Sequence, residues 1–327
     1  MQILVTGGAG FIGSHLVKHF LRQNHAVTVF DNLSYGYLDN LQECEKDLKF
    51  KLIIGDIRDL KHHVKQAYDV ILNFAGIAQL HKNQLKPASA YEINTLGLLA
   101  VLEHGRQYGC KRIIQASTSA LYPDLKCKLR EIQTVEPNLV YPMTKKAAED
   151  LAVLYKYSYD MPVTCVRLFN TYGPHNDQKR ESPALIPYII SCLKKNERAY
   201  LHHDGTQKRD HIYIDDVVSL IDKLITHEGH HYDFYNACTG YAPTVNEIYS
   251  LIAKEMKSDL QPIYRQADEF WEKYHELNSG VYKLKKELIE TEVTRTIIGD
   301  NMRAYQIGWK PEISIEEGIH LTVRASK

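Results

Sequence analysis

Two kinds of hydrophobic pattern alternate along the first half of the chain. Short runs rich in β-branched residues predict buried strands over 3–5, 26–30, 50–54, 70–74, 112–116 and 163–169. Between them, apolar residues recur every three or four positions and predict amphipathic helices over 11–23, 88–108 and 142–159. Strands that alternate with helices in this way form parallel sheets. The pattern therefore predicts an α/β fold, with helices on both faces of a doubly wound parallel sheet.

The pattern loosens after residue 170, where it is interrupted by Pro174, Pro183 and Pro187. Beyond this point we predict a helix over 183–195, a strand over 211–214, a helix over 215–226 and a strand over 234–237. The capping-box pattern over 244–247 predicts the start of a helix over 248–257. Residues 265–295 are crowded with charges and tyrosines, and their apolar residues are too sparse to define a face. We expect a solvated excursion there, rather than a dedicated partner surface.

Three glycines follow the first predicted strand directly and precede the first helix. Gly7 lets the chain leave the strand, Gly10 lets the backbone approach a phosphate, and Gly13 lets the helix pack closely on the sheet. The free N–H groups and the positive dipole end of that helix then face the anion. This turn predicts a dinucleotide-binding site with Gly7, Gly10, Phe11, Ile12 and Gly13 as cofactor-binding residues.

An acidic residue ends the second predicted strand, about twenty residues beyond the glycine turn. At this spacing Asp31, followed by Asn32, can bind both hydroxyls of an adenosine ribose. A 2′-phosphate would be repelled by that carboxylate, and no arginine occurs between Asp31 and Lys46 to compensate. The predicted cofactor is therefore NAD rather than NADP. The alternative is that Asp31 is only a turn residue at the end of a strand.

Composition and charge narrow the class of protein. The chain has 327 residues, of which 44% are hydrophobic and 24% charged, as expected for one large domain or two packed ones. Its 40 basic residues balance its 40 acidic ones, which argues against a nucleic-acid or polybasic membrane partner. No apolar run approaches the roughly twenty residues of a membrane span, and the first strand leaves no room for a secretory signal. We expect a cytoplasmic protein.

The residues that commonly bind metals lack a suitable arrangement. The six cysteines contain no C-x-x-C pair, so neither a disulfide framework nor a zinc site is expected. Histidines are adjacent at 62–63, 202–203 and 230–231. Adjacent side chains on a strand point to opposite faces, and no second ligand cluster lies at a supporting spacing. We interpret these histidines as surface or loop residues and predict no metal site.

Candidate chemistry lies at the end of the fifth predicted strand and at the start of the helix over 142–159. Tyr141 and Lys145 are four residues apart and share a helical face. The Lys145 ammonium would favour the Tyr141 phenolate and lower its pKa from about 10 toward neutrality, so that it acts as a general base. Thr118 can hydrogen-bond the same hydroxyl from the carboxyl end of the strand. Together, the three residues could deprotonate an alcohol while its carbon transfers hydride to a nicotinamide. The alternative is that Tyr141 and Lys145 are two unrelated surface residues, since their spacing alone is a weak motif.

Nearly the whole chain resembles the extended short-chain dehydrogenase/reductases, specifically the NAD-dependent nucleotide-sugar epimerase/dehydratase family, in its UDP-glucose 4-epimerase-like branch. The matching segments include T-G-G-A-G-F-I-G at 6–13, G-D-I-R-D at 55–59, N-F-A-G at 73–76, S-T-S-A-L-Y at 117–122, Y-P-M-T-K at 141–145, R-L-F-N-T-Y-G-P at 167–174, R-D-H-I-Y-I-D-D at 209–216 and G-W-K-P at 308–311. The resemblance implies a Rossmann NAD-binding domain over 1–169 plus about 207–239. A smaller α/β domain for the nucleotide sugar would then comprise about 170–206 plus 240–327.

The same resemblance assigns roles to individual residues. Asp56 and Ile57 would flank the adenine, and Ala75 and Asn94 would line the cofactor. Thr118, Tyr141 and Lys145 would be catalytic, with Thr118 also touching the substrate. The remaining substrate-binding candidates are Asn170, Arg209, Arg295 and His175. Two arginines facing a diphosphate make chemical sense.

Two positions lack the proton-transfer groups that other reactions of the family need, and this narrows the choice of reaction. Dehydratases of the family carry an acid two residues before the Tyr122 position, often with another just ahead of it, whereas this chain has Ser119 and Ala120. Related decarboxylases and 3,5-epimerases also place a proton-transfer group at the Ala120 position. Oxidation and re-reduction at one carbon needs no such group, which favours C4 epimerisation of a nucleotide-linked hexose. The alternatives are a 4-dehydrogenase that releases a ketosugar and, less favoured, a 4,6-dehydratase or a catalytically silent NAD-binding regulator.

The resemblance also implies a homodimer. Family members commonly pack the two helices that correspond to 88–108 and 142–159 into an intermolecular four-helix bundle. The second of these has more apolar residues than one sheet face needs, among them Leu151 and Leu154. The expected partner is a nucleotide-diphosphate sugar, whose base and sugar the sequence leaves open.

Overall fold

The computed structural model describes residues 1–125, 127–176, 183–229, 231–266 and 269–326, and in these residues seven strands form one parallel sheet. The sheet order is β3-β2-β1-β4-β5-β6-β10. The chain thus winds outward from β1 in both directions, and the switch point lies between β1 and β4. In chain order, the strands are β1 (Gln2–Thr6), β2 (Ala26–Asp31), β3 (Phe50–Ile54), β4 (Val70–Asn73), β5 (Arg112–Thr118), β6 (Val163–Leu168), β7 (Asn170–Tyr172), β8 (Tyr200–His202), β9 (His211–Tyr213), β10 (Phe234–Ala237) and β11 (Ile263–Arg265).

Helices cover both faces of this sheet. Side chains alternate along β1, so that Ile3 and Val5 enter one apolar core and Leu4 enters the core on the opposite face. Among the described residues, no helix combines the length and apolarity needed to cross a membrane. In chain order, the helices are α1 (Phe11–Arg22), α2 (Leu60–His63), α3 (Leu80–Leu85), α4 (Pro87–Tyr91), α5 (Gly97–Tyr108), α6 (Val140–Tyr159), α7 (Leu185–Lys194), α8 (Ile214–Thr226), α9 (Val245–Met256), α10 (Glu269–Glu272), α11 (His275–Asn278), α12 (Lys286–Thr294), α13 (Met302–Gln306) and α14 (Ile315–Ala325).

The predicted doubly wound α/β fold is confirmed, and the differences are local. The capping box forms at Thr244 and opens α9. The predicted helix over 88–108 contains a π-helical turn at Glu92–Leu96, between α4 and α5. The predicted strand over 211–214 forms as β9, but it pairs with β7 in a separate two-stranded sheet. Strands β7, β8 and β11 were not predicted, because three residues are too few to produce a periodic signal.

Most of the described residues over 265–295 are exposed, as the sequence predicts, but three large side chains anchor the segment to the protein. Trp271, Tyr274 and Ile289 are buried. The ring of Tyr274 stacks on that of His81 in α3, with the ring centroids 4.8 Å apart. These large side chains do not form one helical stripe, so the hydrophobic pattern misses them. The segment packs back against the body of the protein, and α12 returns the chain to the end of the main sheet.

A buried ion pair joins α6 to the sheet. The Arg167 guanidinium of β6 donates from Nε and Nη2 to the two carboxylate oxygens of Glu149 in α6, at 2.9 and 2.8 Å. The Ser117 hydroxyl of β5 donates to the same carboxylate at 2.7 Å. Arg167 also donates to the Tyr122 hydroxyl, which in turn donates to Asn236 of β10. Three neighbouring strands and one helix are therefore held in a single polar network.

We expect Glu149→Gln to destabilise the protein by about 3 kcal/mol or more, because Arg167 would remain charged in the core without its partner. The measurement is the free energy of unfolding in urea. Asp150→Asn is the matched control, since it breaks the exposed pair with Lys146 on the same helix and should cost less than about 1 kcal/mol. Equal losses in the two variants would show that burial of the pair does not matter.

Candidate active site

A cavity of about 700 Å³ opens along the carboxyl ends of the main-sheet strands. Its wall begins at the turn after β1, passes the ends of β2, β4 and β5, and reaches the residues that follow α12. This is the edge of an open α/β sheet at which ligands bind. Of the residues proposed from the sequence, those that line the cavity are Gly7, Gly10, Phe11, Ile12, Gly13, Asp31, Asn32, Ile57, Ala75, Thr118, Tyr141, Lys145, Asn170, Arg209 and Arg295.

The glycine turn has room for backbone only. Gly7 adopts a φ of 70°, and a Cβ built there would lie 2.6 Å from the backbone nitrogen of Ala75. A Cβ built on Gly13 would lie 2.2 Å from the carbonyl oxygen of Gly7. The amino end of α1 consequently sits against the end of β1 and faces the cavity. These N–H groups suit a pyrophosphate, as the motif predicts.

The acid at the end of β2 is oriented by the backbone. Asp31 accepts hydrogen bonds from the Ala9 N–H at 3.0 Å and from the Leu33 N–H at 2.8 Å. Burial raises its pKa above the usual range of an aspartate, while these hydrogen bonds act in the opposite direction. The oriented carboxylate can accept from ribose hydroxyls, and it leaves little space or charge tolerance for a phosphate.

Two residues assigned to the cofactor, Asp56 and Asn94, are not among the residues that line the cavity. Asp56 forms two hydrogen bonds with the Arg58 guanidinium and accepts a third from Asn32, which does line the cavity. The hydrogen bonds from Arg58 lower the pKa of Asp56 to about 2. Asn94 is buried, accepts from the Ile77 N–H at 2.8 Å and donates to the Thr144 hydroxyl at 3.0 Å. Each of them hydrogen-bonds a residue that does line the cavity, Asn32 for Asp56 and Ile77 for Asn94.

Thr118, Tyr141 and Lys145 come together in one wall of the cavity. Lys145 is buried and donates from Nζ to the Ala116 carbonyl at 3.0 Å. Burial lowers the pKa of its ammonium group to about 8. The Thr118 hydroxyl accepts a hydrogen bond from the Ala120 N–H at 3.1 Å, which caps the turn after β5. The wall thus offers a phenol, a hydroxyl and an ammonium group next to the end of β5.

The two arginines that the resemblance assigns to the substrate line the cavity and are already engaged with the protein. Arg209 donates to the carbonyls of Glu292 and Val293, and its burial, together with the nearby Arg295, lowers its pKa to about 10. Arg295 donates from Nη1 to the Tyr122 carbonyl at 3.0 Å and from Nη2 to the Glu292 carboxylate at 2.8 Å. The terminal nitrogens of both guanidinium groups are thus engaged by the protein, whereas Nε of Arg295 is buried without a hydrogen-bond partner among the described residues.

His175 does not line the cavity in the part of the chain that the structure describes. It has a positive φ of 60°, and its ring lies 6.2 Å from that of His15, centroid to centroid. Asn170, which precedes it in the same motif, does line the cavity. The histidine pair at 202–203 is not confined to a surface loop, since His202 lies in β8 and lines the cavity. His230 lies outside the described residues.

The cavity contains further residues that the motifs did not indicate. Gln207 donates from Nε2 to the His202 carbonyl at 3.1 Å, so its buried Oε1 is left without a partner among the described residues. His211 is buried, and desolvation lowers its pKa to about 4. Glu292 reaches the cavity from α12. The first two flank Arg209 in sequence, which is the only signal that could have indicated them, and Glu292 lies in the segment interpreted as solvated.

Three comparisons with known proteins point to the same group. The model of the "NAD dependent epimerase/dehydratase family" matches residues 3–238. The chain is 29% identical to a putative UDP-glucose 4-epimerase of Methanocaldococcus jannaschii, over 100% of this chain and 98% of the relative. It is 30% identical to the dTDP-D-glucose 4,6-dehydratase of Mus musculus, over 98% of this chain and 87% of the relative.

Two solved structures have the same fold as this chain. The UDP-glucose 4-epimerase of Thermotoga maritima, solved with UDP-glucose, superposes with a TM-score of 0.85 at 28% identity, over 100% of this chain and 98% of that one. The UDP-glucose 4-epimerase of Thermus thermophilus, solved with NAD, gives a TM-score of 0.82 at 25% identity, over 99% of this chain and 98% of that one.

The buried Lys145 predicts a specific pH dependence of stability. Its pKa is about 8 in the folded protein and about 10.5 when exposed, so the folded state binds fewer protons between these values. The free energy of unfolding of the wild type should therefore rise with pH over this interval, by up to about 3 kcal/mol, relative to Lys145→Met. Urea unfolding across the pH range measures the difference. Lys146→Met, at the accessible neighbouring position, should run parallel to the wild type; the same slope in both variants would contradict the assignment to Lys145.

Proposed function

This chain belongs to the NAD-dependent epimerase/dehydratase family, and from that premise we propose that it inverts C4 of a nucleotide-linked hexose through a transient 4-keto sugar. Membership confirms the resemblance drawn from the motifs, together with the predicted enzyme class and NAD as cofactor. The relatives include both 4-epimerases and 4,6-dehydratases. The choice between those reactions therefore depends on the residues of this cavity.

The observation that carries the proposal is the wall after β5. Thr118, Tyr141 and Lys145 line the cavity, and so do Ser119 and Ala120, which occupy the positions where the resemblance puts the dehydratase acids. Neither side chain can exchange a proton with a sugar carbon near neutral pH. The acids among the described lining residues are Asp31, at the end of β2, and Glu292, which is paired with Arg295. This set of residues suits oxidation and re-reduction at one carbon.

The residues around the cavity fit NAD. The backbone-only glycine turn and the amino end of α1 would hold its pyrophosphate, and Asp31 would accept from its adenosine ribose. When bound, NAD supplies the hydride acceptor and, in its reduced form, the hydride donor. Its regeneration in each turnover would make the reaction redox-neutral overall.

Residues of the protein would carry out the transfer of the 4-hydroxyl proton. Tyr141 would take the proton of the 4-hydroxyl as C4 is oxidised and return it when hydride is delivered to the opposite face. Thr118 would hydrogen-bond the same oxygen and hold it near the phenol. Below a pH of about 8 the Lys145 ammonium is charged and favours the phenolate. The 4-keto sugar would have to rotate within the cavity to present its opposite face, while its diphosphate stays bound. The positive charge of Arg209 would help to hold the diphosphate in place.

The experiment that tests the proposal is proton NMR with mass spectrometry on the purified protein in deuterated water. The protein is given catalytic NAD and a panel of UDP-, dTDP-, GDP- and CDP-hexoses. A product of unchanged mass with inverted C4 couplings and no deuterium uptake is the expected result, and it identifies the nucleotide and the sugar. Loss of water, with deuterium incorporation, would instead establish a 4,6-dehydratase and overturn the proposal.

The second candidate is a 4-dehydrogenase, which needs the same three residues. It would produce a ketosugar lighter by two hydrogens, in step with consumption of stoichiometric NAD and accumulation of NADH. The absence of any turnover over the panel, with NAD bound, would favour a silent NAD-binding regulator.

Tyr141→Phe should reduce kcat by about a thousandfold, because it removes the only phenol that we assign to the proton transfer. Turnover is followed by the same NMR assay, and NAD binding is checked by fluorescence. Tyr157→Phe is the control, since this exposed tyrosine lies on the same helix and donates to Asp233. Near-normal turnover by Tyr141→Phe would exclude the proposed role.

We also propose the homodimer that the resemblance implies. Apolar side chains are exposed on both helical runs concerned, among them Leu96 at 51% and Leu154 at 53% of their surface. Light scattering at micromolar concentration should give twice the 37.6 kDa mass of the chain, and Leu154→Asp should shift it toward the monomer. A monomeric mass for the wild type would contradict the dimer.

A further inference from the structure

Glu292 is connected to the catalytic wall by a short series of hydrogen bonds. Its carboxylate accepts from Nη2 of Arg295 at 2.8 Å, while Nη1 of the same guanidinium donates to the Tyr122 carbonyl at 3.0 Å and lies 3.5 Å from the Ala120 carbonyl. The Ala120 N–H in turn donates to Thr118. Through Arg295 and Ala120, the Glu292 carboxylate is thus linked to Thr118, the residue that we propose binds the sugar.

Few of the described side chains that line the cavity carry a positive charge that a ligand could use. The basic residues among the described lining are Lys145, Arg209 and Arg295, together with two histidines. His211 has a pKa of about 4 because of its burial and is neutral at pH 7. Burial also lowers the pKa of His202. Lys145 is committed to the catalytic wall, which leaves the two arginines.

Glu292 neutralises one of these arginines. The ion pair is largely buried, with 9% of the Arg295 side chain and 16% of the Glu292 side chain exposed. The remaining arginine, Arg209, must offset the two negative charges of a diphosphate. A carboxylate on the sugar would be a further negative charge close to Glu292, and the described lining residues offer no further cation to receive it beyond those already named.

We propose that Glu292 determines the class of sugar that this site accepts, favouring neutral nucleotide-linked hexoses and excluding hexuronates. The proposal rests on the function proposed above. A neutral sugar presents hydroxyl groups, which can donate to the Glu292 carboxylate without disturbing its pair with Arg295. A hexuronate would have to compete with Glu292 for Arg295 and would leave two carboxylates close together in a poorly solvated space. Glu292 is thus a specificity-determining residue supplied by α12.

The test is calorimetric binding of UDP-glucose and UDP-glucuronate to the NAD-loaded protein. Wild type should bind UDP-glucose at least tenfold more tightly. Glu292→Gln keeps the size of the side chain but releases the Arg295 charge, so the ratio of the two Kd values should fall by tenfold or more, mainly through tighter binding of UDP-glucuronate. Glu292→Asp keeps the charge and should preserve the preference. Glu290→Gln, at an exposed position of the same helix, should leave both Kd values unchanged.

Two results would overturn the proposal. One is a wild type that binds the two ligands equally or prefers UDP-glucuronate. The other is a Glu292→Gln variant in which both ligands bind more tightly by the same factor, since that would mean that Glu292 acts on their shared diphosphate. Because the readout is binding, it is independent of the epimerase assay; a protein that discriminates as expected but yields no C4 epimer would contradict the proposed function alone.

Discussion

The buried contact between α6 and the two strands beneath it is the interaction on which the rest of the site depends. Glu149 binds Arg167 and Ser117 inside the protein, and one turn earlier Lys145 donates to the Ala116 carbonyl. These hydrogen bonds set both the position and the rotation of the helix that carries Tyr141. The cost of burying an ion pair is offset only when its partners are well aligned, so the arrangement tolerates little displacement. The wall that carries Thr118, Tyr141 and Lys145 is consequently held by core packing rather than by a loop.

Burial also controls the charges in the cavity. It lowers the pKa of Lys145 and of His211, and it raises the pKa of Asp31 and of Glu292. The cation at the catalytic wall is thereby brought close to its titration range near neutral pH, and the histidine beside Arg209 becomes a neutral group. In the substrate half, two guanidinium groups are held by backbone carbonyls and by one carboxylate. The charged side chains that line the described part of the cavity thus already have partners within the protein.

The sequence predicted the elements of the main sheet well because their signals are local. A buried strand is a continuous apolar run, and glycine is required where a Cβ would collide with nearby backbone, as at Gly7 and Gly13. The motifs also indicated most of the cavity lining. However, the motifs did not distinguish the residues that line the cavity from the residues that hydrogen-bond to them. Asp56 and Asn94 lie in matching motifs, yet they act through Asn32 and Ile77, because contacts across the fold decide which side chains reach the surface of the wall.

By itself, the sequence determined the fold class, the family, the NAD-binding turn and the identity of the residues at the end of β5. Each of these depends on neighbours along the chain, on a spacing that a helix or strand makes regular, or on motifs with a matching order. The tertiary structure decided where the segment over 265–295 goes and which of its residues reach the cavity. Glu292 is separated from Thr118 by more than half of the chain, and no periodicity connects them. The packing of Trp271, Tyr274 and Ile289 against the body of the protein, far from Thr118 in sequence, helps to bring that carboxylate to the cavity.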